Sequence, residues 1–148
     1  MSVAITGKVR TMQYETFVHE ARERTGLASN CETIDAVRAV VETLLECLPG
    51  VLVREVASRL PSALESGQGR AEWTPGERLT VPEFLLRVAR REGADDSTAF
   101  CHAQAVLQML GAPLGYELLE RVRAELPTEF DTFWGADPAR THMHQPIA

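Results

Sequence analysis

Residues 17–27, FVHEARERTGL, lie over residues 84–94, FLLRVARREGA, at an offset of 67. The overlay matches Phe17 with Phe84, Ala21 with Val88, Arg24 with Arg91 and Gly26 with Gly93. Removing one residue from the following loop changes the offset to 66, and RAVVETL at 38–44 then lies over QAVLQML at 104–110. The same offset runs on through Val56 and Val122 to Leu60-Pro61 and Leu126-Pro127. A match this long with one small gap reads as a tandem duplication, and a repeat sets the architecture before any single motif does.

Periodicity fills in each copy. Tyr14, Phe17, Val18 and Ala21 fall at i, i+3, i+4 and i+7, one face of a helix. Gly26 ends that helix, since glycine readily takes the left-handed backbone of a helix stop. SNCE at 29–32 has capping-box spacing, with a hydroxyl three residues before Glu32. Ile34, Val37, Val41, Leu44, Leu45 and Leu48 form the next stripe, and Ala36, Ala39 and Val40 widen it, which makes this helix a central one. Pro49-Gly50 breaks the helix, and a third comes after it with Leu52, Val53, Val56, Ala57 and Leu60 turned inward.

The second copy repeats this plan. TVPE at 80–83 is another capping box, with Pro82 in the first turn where its missing N–H does no harm. Phe84, Leu85 and Val88 repeat the first stripe, Phe100, Ala103, Leu107 and Leu110 the second, and Leu118, Leu119, Val122 and Leu126 the third. Each Leu-Pro pair ends a third helix, because proline disfavours helical angles in the residue before it. The expected fold is all-α, a helical bundle of about six helices built from two tandem three-helix repeats. Repeat one covers 12–66, a Gly-rich polar linker 67–78, and repeat two 79–134, together a single all-α domain over 1–134 with a flexible tail at 135–148.

Composition excludes several function classes. The 148 residues are 45% hydrophobic and 24% charged, as in a globular chain. A net charge of -6, with 15 basic against 21 acidic residues, disfavours nucleic acid, whose binding rests mainly on Lys and Arg releasing counterions. No stretch approaches the roughly 20 apolar residues of a membrane span, and the start lacks a signal-peptide pattern. Cys31, Cys47 and Cys101 are odd in number and show no CxxC spacing, so neither a disulfide framework nor a zinc module is signalled. Reduced thiols fit a cytoplasmic protein.

Candidate chemistry is sparse. Cys101-His102 invites a nucleophile-and-base reading, but neighbours on a helix point about 100° apart and do not easily share a proton. Cys101 is the thiol candidate, and the preferred reading makes it a small buried hydrophobe. His19 points away from its helix's stripe, toward solvent. His142 and His144 flank Met143 in the tail, a spacing that could hold a soft metal ion, though an ordinary polar tail is the simpler reading. Asp95-Asp96 favours a helix N-terminus. Glu55 with Arg59, and Glu120 with Arg123, read as surface pairs. Arg22, Arg24, Arg87, Arg90 and Arg91 cluster at the ends of the two first helices, as partners of the helix dipole or as a paired basic face. No catalytic residue, metal site or cofactor is expected.

The two Leu-Pro endings lead into unlike segments. SALESGQG after Pro61 dissolves into the linker, whereas TEFDTFWG after Pro127 places Phe130, Phe133 and Trp134 on one face. These aromatics either lid the core where the halves meet or form an exposed patch for a partner. Trp73 in the linker is expected to fold back onto the helices. Trp73, Phe130, Phe133 and Trp134 are the candidate interaction surface.

The opening Tyr14-Glu15-Thr16-Phe17, RAVVETL at 38–44, the Leu-Pro closure, WTPGER at 73–78 and EFLLRVA at 83–89 together resemble the bacterial family called domain of unknown function 2267. The resemblance covers residues 12–134. It implies an all-α duplicated fold in bacterial soluble proteins and brings no activity, cofactor or catalytic residue. The expected function is a noncatalytic protein-interaction or adaptor module, binding a protein partner or self-associating as a homodimer. A small-molecule or cofactor binder at the seam between the halves is the alternative, and an enzyme or thiol sensor at Cys101 and His102 ranks below both.

Overall fold

The structure, a computed structural model, describes residues 2–60 and 75–134, with side chains described from residue 14 onward. The described residues are all-α, without a strand. Helix α1 is Ser2–Thr25, α2 Asn30–Glu46, α3 Gly50–Arg59, α4 Val81–Glu92, α5 Asp96–Met109, α6 Gly111–Leu114, α7 Tyr116–Ala124 and α8 Asp131–Trp134, with a 3-10 turn over Thr128–Phe130 before α8. Six of these are longer helices, and α6 and α8 are four-residue turns. The expected tail, 135–148, lies outside the described residues.

Starts and stops obey the local chemistry. Gly26 and Gly93 end α1 and α4 at φ 74° and 72°, a region L side chains rarely adopt. Ser29 Oγ accepts from Glu32 N–H at 3.2 Å, while Glu32 reaches the N–H of Ala28 instead of closing the box on Ser29. Thr80 and Glu83 close a full capping box, with Pro82 in the first turn of α4. Asp95 caps α5 by accepting from Thr98 N–H at 2.8 Å. This backbone hydrogen bond holds its carboxyl below the ordinary value of 3.8. The loop from Gly26 to Ser29 is one residue longer than that from Gly93 to Asp95, which is where the offset changes. Leu60 is extended at φ -103° and ψ 152°, the pre-proline geometry that stops α3.

Helices α1 and α4 each pack against both α2 and α5, which also touch each other. Accordingly α2 buries Thr33, Ala36, Val37, Val40, Thr43 and Leu44, more of its circumference than a one-sided helix would. One continuous apolar cluster runs from Phe17 through Val40, Leu48, Val56, Phe84 and Val106 to Trp134. Helix α3 packs on α6 and α7. There Arg121 donates to both Glu55 oxygens at 3.1 and 2.7 Å, joining positions 66 residues apart. Glu55 therefore pairs with Arg121 and not with Arg59, as the i+4 spacing suggested, because Arg59 Nη1 donates to the carbonyl of Leu114 at 2.6 Å. The hydrogen bond from Arg121 holds Glu55 below the usual carboxylate range. Glu120 and Arg123 do lie 3.8 Å apart, but Arg123 is buried, so this is not the surface pair expected.

Candidate functional site

A groove of about 180 Å³ opens between α1, α3 and the bend from α5 into α6. Its walls are Thr16, Phe17 and Glu20 from α1, Arg59 at the end of α3, and Met109, Ala112 and Pro113. Spacing i, i+1, i+4 puts the α1 residues on one flank of the helix. Pro113 lacks the N–H that would continue α5, so the chain tightens at Leu110 and restarts as α6, leaving Ala112 and Pro113 as a low wall. Phe17 and Met109 form the apolar floor. Glu20 supplies an acid on one wall, paired along its own helix with Arg24 at 2.9 Å. The sequence period places Phe17 in the core, and spacing makes Arg59 half of a surface pair. Nothing local marks the lining as one site, because its residues lie far apart along the chain.

Beside α4 the chain covers the flank itself. Gly76 lies against the backbone of Cys47, so close that a Cβ on it would sit 2.3 Å from the Cys47 oxygen. Glu77 N–H donates to the Glu46 carbonyl at 2.9 Å. Arg87 donates to both Glu77 oxygens at 3.1 and 2.8 Å and to Glu46 at 2.9 Å. Arg91 donates to Thr43 Oγ1 at 2.7 Å and to Glu46, with Glu42 3.8 Å away. Burial pushes the Glu46 carboxyl up, but hydrogen bonds and charge from Arg91 and Arg87 outweigh it and leave the group below its ordinary 4.5. Glu77 in turn raises Arg87 above the ordinary guanidinium value.

Of the expected basic face, Arg87 and Arg91 are thus tied to α2 carboxylates. Arg22 donates to the carbonyl of Ala28 at 2.7 Å and to Asn30 at 3.3 Å, bracing the α1–α2 loop. A signal for the α2–α4 network was present in the sequence: Glu42 and Glu46 share the i, i+4 spacing of Arg87 and Arg91.

Cys101 corrects an expectation, since it is exposed and not buried. Helix α5 buries Ala99, His102, Ala103 and Val106, which turns position 101 outward. His102 points the other way and is buried with Glu92, its Nδ1 2.7 and 2.8 Å from the two carboxylate oxygens. The nucleophile and the base therefore face opposite environments, and the base is already held by a carboxylate from α4. His19 is exposed, 3.7 Å from Glu23. Among the described residues no group of three His, Cys, Asp or Glu side chains could hold a metal ion; His142 and His144 lie outside them.

Of the aromatics assigned to an interaction surface, Trp73 lies outside the described residues. Phe130, Phe133 and Trp134 are buried, so they close the core and present no open patch. Phe84 meets Phe130 edge-on at 5.3 Å and Phe133 at 5.7 Å, and Phe133 also meets Phe100 at 5.4 Å. Trp134 Nε1 donates to the carbonyl of Leu107 at 3.1 Å, which satisfies its one polar atom. Arg123 stacks on its ring at 4.8 Å and reaches Asp131 at 3.3 Å.

Fold and site together define an all-α protein with two helix flanks, one covered by its own chain and one open among the described residues. A family model described as "Uncharacterized conserved protein (DUF2267)" matches residues 14–133, and the chain belongs to that family. No curated protein matches the chain. No helix among the described residues is long and apolar enough to cross a membrane.

Proposed function

We propose that the protein is a noncatalytic interaction module, a bacterial cytoplasmic adaptor whose docking face is the groove between α1, α3 and α6. The observation that carries this reading is the groove itself, with an apolar floor of Phe17 and Met109 and rim charges at Glu20 and Arg59. Partner anchors need an apolar floor and a polar rim, and the groove offers both. Away from the groove, Arg87, Arg91 and Arg121 pair across elements with Glu46, Glu77 and Glu55, whereas on its rim Glu20 pairs along its own helix with Arg24 and Arg59 meets a backbone carbonyl.

The groove lies between the two copies of a duplicated unit, 12–66 and 79–134. Two observations support the duplication. The packing of α1 on α2 and α5 is exchanged for that of α4 on α5 and α2. Glu55 also meets its own offset counterpart, Arg121, as residues beside an axis relating two copies do.

The second reading is a small-molecule binder in the same groove. About 180 Å³ falls below the roughly 300–1,000 Å³ of ordinary ligand pockets, which favours a docking edge over an enclosed ligand. Ala112→Trp fills the groove and separates the two readings. A protein captured by the wild type from the native host and lost from this variant is the expected result. A metabolite that raises the Tm of the wild type and not of the variant would replace the interaction reading with the ligand one. Size in solution checks for a homodimer as the partner.

A further inference from the structure

The open groove and the covered flank are counterparts under the sequence offsets. Adding 67 carries Thr16, Phe17 and Glu20 to Glu83, Phe84 and Arg87. Subtracting 66 carries Met109, Ala112 and Pro113 to Thr43, Glu46 and Cys47. Cys47, Glu46 and Arg87 are the residues on which Gly76 and Glu77 lie. One site therefore has its occupant in the chain, and the other is an open groove among the described residues.

The helix starts explain the difference. Thr80, Glu83 and Pro82 begin α4 abruptly, and the chain arrives extended from the side, across the flank. Gln13, Tyr14 and Glu15 stand at the counterparts of Thr80, Val81 and Pro82 and carry no start signal. Helix α1 accordingly runs back to Ser2 along its own axis, so the chain leading into Phe17 does not cross the groove as Gly76 and Glu77 cross the flank of α4.

We propose that the groove binds an extended peptide segment of a protein partner in which a small residue is followed by a basic one, a charge-reversed form of Gly76-Glu77. Arg87 grips the Glu77 carboxylate from α4. At the counterpart position on α1 stands Glu20, whose ion-pair partner among the described residues, Arg24, is a half-exposed neighbour on the same helix. A cation from the occupant is the complement of that acid. Ala112 replaces Glu46 and removes the second carboxylate, so the charge preference rests on Glu20. The small residue is needed where the occupant crosses Pro113, as Gly76 crosses Cys47. An apolar residue two places after the basic one, matching the buried Leu79, reaches the floor of Phe17 and Met109. Arg59 on the opposite wall is turned to the Leu114 carbonyl.

This inference rests on the interaction reading and on the duplication, and its test separates them. The ¹⁵N-labelled full chain is titrated with two peptides, Thr-Pro-Gly-Arg-Arg-Leu and Thr-Pro-Gly-Glu-Arg-Leu. The first is expected to shift the amides of Phe17, Glu20 and Ala112 and to bind about fivefold more tightly than the second. Glu20→Arg should invert that preference, and Ala112→Trp should abolish both titrations while the variant keeps its thermal transition. Equal binding, or a preference that Glu20→Arg leaves unchanged, overturns the charge assignment. Shifts confined to Glu46 and Arg87 mean that the peptide displaces the internal segment, and they overturn the proposal too. If neither peptide moves groove amides at millimolar concentration while Ala112→Trp still loses a captured partner, the peptide chemistry fails and the interaction reading stands.

Discussion

Phe17 and Phe84 hold matching places on α1 and α4, yet their surroundings differ. Phe84 is closed in by Phe130 and Phe133 and is fully buried. Phe17 borders the open groove with Met109. The difference does not come from the helices, whose apolar stripes agree. It comes from Gly76 and Glu77 before α4 and from Phe130 and Phe133 after α7, which together close the flank of α4. Helices with like apolar stripes in one chain can thus give unlike surfaces.

The largest effect expected from this contrast is at the two phenylalanines. Phe84→Ala should cost about 3–5 kcal/mol, the range for emptying a closed aromatic site. Phe17→Ala should cost less by about 0.5 kcal/mol, because Phe17, though buried, keeps 8% of its surface exposed where Phe84 keeps none. Denaturant unfolding of both variants measures the gap, and equal losses would show that the two sites are equally closed.

Next in size is the close approach at Gly76. Gly76→Ala forces a Cβ against the Cys47 carbonyl, and overpacking of this kind costs about 1–3 kcal/mol. That corresponds to a Tm lower by roughly 3–10 °C. Gly111→Ala on the groove side is the control. Its Cβ would lie 3.6 Å from Leu119 Cδ2, ordinary contact, so a change within about 1 kcal/mol is expected.

Smaller again is the charge pair. Arg87→Met removes bonds to Glu46 and Glu77, but these side chains are a third or more exposed, or nearly so, and the loss should be about 1 kcal/mol or less. Glu20→Gln, the counterpart on the open side, should stay within about 0.5 kcal/mol. Chemical denaturation at low and high salt sharpens this, since the Arg87 effect should shrink as salt rises.

The smallest effect is on pH. Glu46 titrates in the fold below its ordinary value of 4.5, so the unfolded chain binds the proton more readily than the folded one. Its contribution is present above that value and is lost as pH falls through the folded value. Tm should therefore be flat from neutral pH to about 5 and fall below about 4.5. Glu55 and Asp95 shift in the same direction. Arg87→Met should flatten part of the decline, and an unchanged acid limb would remove the Arg87–Glu46 pair as its cause.

Much of the helix plan was legible because its signals are local. Ser29, Thr80, Asp95, Gly26 and Gly93 act within one turn of their own positions. The phase of α5 was harder to read. Ala99, His102 and Val106 form one apolar row and Phe100, Ala103 and Leu107 an adjacent one, so small residues on both left the exposed face of Cys101 undetermined. Which way Trp134 would point was also open in sequence, because an aromatic row serves a lid and a patch equally. Its Nε1 bond to the Leu107 carbonyl and its stack on Arg123 are decided by packing.

By itself the sequence determined the all-α class, the caps and stops at Gly26, Ser29, Thr80, Gly93 and Asp95, and the offset relation between Phe17 and Phe84, since hydrophobic period and caps act over a few residues. Only the tertiary structure decided that Arg87 and Arg91 reach the carboxylates of α2, that His102 is sealed with Glu92, and that, among the described residues, one flank is covered while the other is open. Those outcomes depend on distances between segments that are remote in the chain, and such distances exist only once the helices have packed.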